Sequence, residues 1–165
     1  MNRNKEFLKE LSKEAITTRK MLSAVPNDKY DWKPHPRSMN IRQLAGHIAE
    51  LPAWINMVLN TNELDFATSP YESPAINDTK ALLALFEKNL AEAEEELPKA
   101  KEEILEDLWT LRNGEQILSR ETKADVIRMT LSQIIHHRAQ LGVFLRLLDV
   151  PIPGSYGPSA DDTGF

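Results

Sequence analysis

The sequence contains no cysteine, which excludes disulfides, thiolate zinc sites and a cysteine nucleophile of the protein's own. It has no run of the roughly 18 apolar residues that a membrane span requires, and its opening stretch, MNRNKEFLKELSKE, holds no signal-peptide core. Basic residues are in the minority. The 20 Lys and Arg against 25 Asp and Glu give a formal charge of −5 and an isoelectric point near 5.4. Nucleic-acid backbones are bound by clustered cations, so nucleic acid is not an expected partner. There is also no HExxH, no phosphate-binding loop, no dinucleotide fingerprint and no Glu three residues before a His, the pattern of di-iron bundles. These absences leave an acidic protein, expected to be cytoplasmic and without a membrane partner.

What is present is enough apolar material for a core: 41% hydrophobic residues and 3 Trp in 165 residues. That length fits a single domain over residues 1–165. Apolar residues at helical spacing predict a first helix over about residues 4–24, followed by a connection over 26–39 carrying Pro26, Pro34 and Pro36. Ser38 or Asn40 caps a second helix running to about Asn60, with Gln43 placed for a capping box. Pro52 lies inside that helix and predicts a bend near His47. Residues 61–77 read as a long irregular crossover, and a third helix follows over about 78–97, capped by Asp78 or Thr79.

The pattern then changes period. Around Asn113-Gly114 it predicts a small two-stranded ribbon, with a type I′ turn that needs positive φ at both central residues. A fourth helix over about 124–149 ends before Pro151 and Pro153, and the tail should fold back or hang free. The fold class is therefore all-α: a four-helix bundle with long crossover connections and a small β-hairpin before the last helix.

The fourth helix carries the functional question. On a helical wheel Val126, Met129, Thr130, Gln133, His137, Leu141, Phe144 and Leu148 form one stripe, which points Gln133 and His137 inward. Arg138 and Gln140 read as helix surface, and His136 as a surface or dimer-contact residue. His47 and Trp54 flank the apolar stripe of the second helix. An inward polar group needs a partner, because an unpaired one costs a few kcal/mol. Hydrogen bonds among these residues, a buried water or a metal ion would each answer that need. Glu50, three residues after His47, is either an acceptor for its imidazole or solvated.

The segment Leu44-Ala45-Gly46-His47-Ile48-Ala49-Glu50-Leu51-Pro52-Ala53-Trp54, with His136-His137-Arg138-Ala139-Gln140 late in the chain, resembles the DinB-like (DinB/YfiT) superfamily. Trp32-Lys33-Pro34-His35-Pro36 and the stretch from Pro153 to Asp161 extend the likeness over nearly the whole chain. The resemblance implies a four-helix bundle, a homodimer, and a divalent metal such as nickel or zinc held by three histidines. It implies His47 and His137 as two of the metal ligands. The third position, four residues before His137, is Gln133 here. An amide oxygen is a harder and weaker donor than an imidazole for nickel or zinc, so metal binding should be weakened or absent.

Two functions follow. One is a metal-dependent enzyme on an unknown small molecule, a transferase using an external thiol or a hydrolase, with its site between the second and fourth helices. The other is a non-catalytic dimeric bundle that binds a small ligand or a partner and whose metal site has degenerated at Gln133.

Overall fold

Each helix begins where a side chain satisfies the backbone N–H groups that the first turn leaves without partners. In the computed structural model, which describes residues 2–163, Asn2 accepts from the Lys5 N–H to open α1 (Arg3–Ser23). Asn40 opens α2 (Ile41–Asn60) through a full capping box: its Oδ1 accepts from the Gln43 N–H at 2.9 Å, and Gln43 Oε1 accepts from its N–H at 3.0 Å. Asp78 caps α3 (Thr79–Lys99) and Thr122 caps α4 (Lys123–Leu147). Helix α2 runs on through Pro52. In that stretch the buried Asn89 of α3 donates to the Ala49 carbonyl at 2.9 Å.

The principal helix pairs are α1–α3, α1–α4, α2–α3 and α2–α4. Of the helices consecutive in the chain, α2 and α3 are main packing partners, whereas α1 and α2, and α3 and α4, are not. That arrangement is what the long connections make possible. The core filling the bundle is built on Leu11, Ile41, Ile48, Ile55, Phe86 and Ile127, all fully buried. Among the described residues no helix is long and apolar enough to cross a membrane.

A three-stranded sheet closes one end, in the order β1 (Glu63–Asp65), β2 (Leu108–Asn113), β3 (Gln116–Thr122). The expected ribbon is the antiparallel β2–β3 pair. Its turn differs from the sequence reading: Asn113 pairs with Gln116, and only Gly114 has positive φ, at 59°. A positive φ at the first central residue alone suits type II′, in which one glycine suffices, and not type I′. The ladder slips at Leu118, a bulge, before it resumes at Ser119.

Residues 61–77 are also not wholly irregular. They contribute β1, which pairs parallel with β2, Glu63 opposite Thr110. A three-residue strand carries no period that a sequence can display; it exists because β2 offers an edge. Asp65 then pins the crossover to the hairpin, its carboxylate accepting from the Gly114 N–H at 2.8 Å and the Ala67 N–H at 2.9 Å and pairing with Arg112 at 3.1 Å. At the far end of the crossover Arg42 donates to the Ile76 carbonyl and to Asn77 Oδ1, and Ile76 packs 3.5 Å from where a Cβ on Gly46 would stand. The crossover is thus fastened at both ends across one face of α2.

The tail folds back. Ser159 Oγ donates to the Ile152 carbonyl at 2.6 Å, and Asp161 pairs with Arg146.

Candidate functional site

The wheel phase of α4 is rotated from the sequence reading. Val126, Thr130 and Leu141 of the expected stripe are buried, but so are Ile127, Leu131, Ile134, Arg138 and Leu145, and Met129 is 37% exposed. Gln133 and His137 lie on the flank of this buried face, half-buried and facing α2, not in the core. Arg138, expected on the surface, is instead 3% exposed and pairs with Glu14 of α1 at 2.7 Å. Its Nη1 also donates to the Glu14 carbonyl at 3.2 Å and to Thr18 Oγ1 at 3.1 Å, and the Tyr156 ring stacks over its guanidinium at 5.5 Å. The physical reason for the error is plain: an Arg can be buried when an anion and further acceptors meet it, and those acceptors belong to a helix far away in sequence.

His47 and His137 do come together. Their rings meet edge to face, centroids 4.9 Å apart and planes at 73°. Each ring is held by a residue three positions further along its own helix. His47 Nδ1 lies 3.2 Å from Glu50 Oε1, and His137 Nδ1 lies 2.8 Å from Gln140 Oε1. A carboxylate and an amide oxygen only accept, so in the neutral form of each ring Nδ1 carries the proton and Nε2 keeps the lone pair. Burial pushes the His137 imidazole below its ordinary value of 6.5; the Gln140 bond opposes this, and the neighbouring His47 and His136 add to it. His136 is exposed, its ring 4.9 Å from that of His137. The Glu50 carboxylate is 16% exposed and so belongs to the site and not to the solvent.

Gln133 shares with His47 a small cavity of 150 Å³, walled by Leu51, Trp54, Leu111 and Thr130. Trp54 also borders two larger hollows, one of 340 Å³ that reaches His47, Gln43 and Met39, the other of 320 Å³ that reaches Glu50 and Met57. Phe66 and Tyr71 of the crossover line both. Burial, opposed by Ser73, raises the Tyr71 hydroxyl above its ordinary value, and Glu50 adds to the rise. The crossover is therefore the outer wall of one aromatic cleft beside His47. Sequence reasoning flagged Trp54 but missed Phe66 and Tyr71, whose only signal was that two aromatics stand in an otherwise polar loop.

The donor set decides what metal chemistry this arrangement suits. Two oriented imidazoles with free Nε2 atoms and outer acceptors form the core of many transition-metal sites. Among the described residues no three His, Cys, Asp or Glu side chains converge to hold an ion. The two imidazoles offer donors to such an ion and Gln133 lines a cavity with His47, but these residues do not fit a three-histidine centre.

Comparison with solved structures finds the same fold. A DinB-like protein of Bacillus subtilis superposes with a TM-score of 0.70 at 18% identity, covering 91% of this chain and 97% of that one. YfiT of Bacillus subtilis, described as a probable metal-dependent hydrolase with an unusual four-helix bundle topology, gives 0.65 at 12% identity over 88% of this chain and 87% of its own. A mycothiol-dependent maleylpyruvate isomerase gives 0.61 at 15% identity, with 84% of this chain and 60% of that one covered. No curated protein matches the sequence. These superpositions agree with the DinB family model, which matches residues 1–163, and the chain belongs to the DinB family.

Proposed function

We propose that the protein is a metal-dependent enzyme acting on a small molecule in the cleft between α2 and α4, with His47 and His137 as imidazole ligands and Gln133 as a weaker third donor. The observation that carries this reading is the pair of rings 4.9 Å apart, each with its Nδ1 tied to an acceptor oxygen. Such bonds fix the tautomer that leaves Nε2 free, and they raise the basicity of a ligand imidazole. The fold-level neighbours described as a probable metal-dependent hydrolase and as a thiol-dependent isomerase support the same class of chemistry.

A divalent nickel or zinc ion bound there would supply Lewis acidity and lower the pKa of a group it meets. The chain's own contribution is arrangement. Glu50 and Gln140 hold the imidazoles, Trp54 and the crossover aromatics shelter the cleft from water, and the open side admits a substrate. With no cysteine in the sequence, a thiol in the reaction must come from outside.

The lack of a third imidazole or carboxylate favours a second reading, a binding bundle that has lost metal chemistry. Calorimetric titration of chelator-stripped protein with nickel and with zinc separates the two. The first reading expects about one equivalent bound, lost in His47→Ala and in His137→Ala, and tightened roughly tenfold or more in Gln133→His. No binding by the native chain, and no gain in Gln133→His, would leave the second reading standing.

A further inference from the structure

We infer that the protein walls of the cleft beside His47 favour an uncharged or cationic aromatic group over carboxylates, sulfonates and phosphates. This rests on the reading that the cleft is the functional site, and it names the kind of group that the walls take up away from any metal at the histidine pair.

The first observation is aromatic and thioether surface. Trp54 borders all three hollows, and Phe66 and Tyr71 face the two larger ones from the crossover. Met39, Met57 and Met129 add soft, polarizable surface that adapts to planar ligands. Tyr71 is 52% and Met39 45% exposed, which leaves this apolar surface open to an occupant.

The second observation is charge. Among the described residues no Lys or Arg lines any of the three hollows, whereas Glu50 and Glu72 line one of them. Anions are recognised by guanidinium or ammonium groups, or by the free N–H groups of a helix N-terminus. Two flanking arginines are already committed. Arg42 bonds Asp31, Asn77 and the Ile76 carbonyl, and Arg112 pairs with Asp65 and Glu63. The start of α2 lies beside Met39 and Gln43, and its capping box occupies the Gln43 N–H. An anionic group in the cleft would give up its hydration and meet two carboxylates, while a neutral or cationic ring would meet faces and edges that suit it.

The test uses a matched pair of fluorescent probes, N-phenylnaphthylamine and its sulfonated counterpart anilinonaphthalenesulfonate, titrated in chelator so that no metal intervenes. The neutral probe is expected to bind at a single saturable site at least about tenfold more tightly than the sulfonate. Trp54→Ala, and independently Phe66→Ala and Tyr71→Ala in the crossover, should each weaken it severalfold, so the result does not hang on one variant's folding. Because a neutral probe is also the more apolar of the two, Glu72→Lys supplies the charge control. This exposed substitution should shift the ratio of the two affinities at least about threefold toward the sulfonate at low salt.

Equal or tighter sulfonate binding, a ratio untouched by Glu72→Lys, or neutral-probe binding indifferent to all three aromatic substitutions would overturn the inference. A nickel titration of the same protein, after the chelator is removed, keeps the outcomes apart. Nickel bound at His47 and His137 with the sulfonate preferred sinks only the preference of the walls. A neutral probe bound in the expected way without nickel binding sinks only the metal reading.

Discussion

His137 and Arg138 are neighbours on one helix, yet they serve opposite sides of the molecule. Arg138 turns toward α1, where Glu14, the Glu14 carbonyl and Thr18 meet it in a pair that is 3% and 8% exposed. His137 turns toward α2, where it is half-buried and leaves its Nε2 uncommitted beside an open aromatic cleft. Both residues are polar and both are drawn from the same short motif. The difference teaches that the charge with every acceptor in place is architecture, and the imidazole with a lone pair left over is chemistry.

The strongest way to break this comparison is at Glu14. Glu14→Ala leaves the Arg138 guanidinium buried with no anion, and removing one member of a buried pair costs about 3–5 kcal/mol. Denaturant unfolding should show a loss of that size. The double variant Glu14→Met with Arg138→Met removes both charges and should recover much of it, as a double-mutant cycle would record. A loss under about 1 kcal/mol in the single variant would mean that water reaches the pair and that the α1–α4 side is not the rigid one.

The histidine side should respond in the reverse sense. His47→Ala and His137→Ala delete half-buried rings, so their unfolding free energies should stay within about 1 kcal/mol of the native chain. Their nickel or zinc affinity should collapse. Glu50→Gln keeps the shape and weakens the acceptor on His47 Nδ1, so metal affinity should fall about tenfold with stability unchanged. A large stability loss with no change in metal binding, in any of the three, would make these residues architecture after all.

Much of this was legible in the sequence, for local reasons. Asn40 with Gln43, and Asp78, announce helix starts through their own backbone bonds, and Gly114 announces the hairpin through the φ that it alone adopts freely. His47 and His137 were legible as a pair because the short motifs that carry them resemble the family's, while the wheel alone placed His137 too deep. What failed was non-local. The wheel of α4 offers two apolar phases, and the choice between them is made by Arg138 finding Glu14 on α1. Strand β1 exists only because β2 lies beside it. Phe66 and Tyr71 carry no period, so nothing in their own segment says that they wall a cleft.

The wall itself supplies the smallest test. The Gly114 N–H, the Ala67 N–H and Arg112 hold the Asp65 carboxyl below its ordinary value of 3.8, against a smaller opposing effect of burial. A lowered carboxyl pKa means that the unfolded chain binds the proton more readily. The stabilisation is therefore complete above the ordinary value and is lost as pH falls through the lower, folded one. The amide resonances of Gly114 and Ala67 should then titrate together with a midpoint below 3.8, and Asp65→Asn should abolish that titration. Because Asp65 fastens the crossover carrying Phe66, N-phenylnaphthylamine binding should weaken across the same pH window and be insensitive to it in the variant. A shared midpoint at or above the ordinary value would show that Asp65 is not the pin of the wall, and the firm side and the open side of α4 would then be divided by something other than this carboxylate.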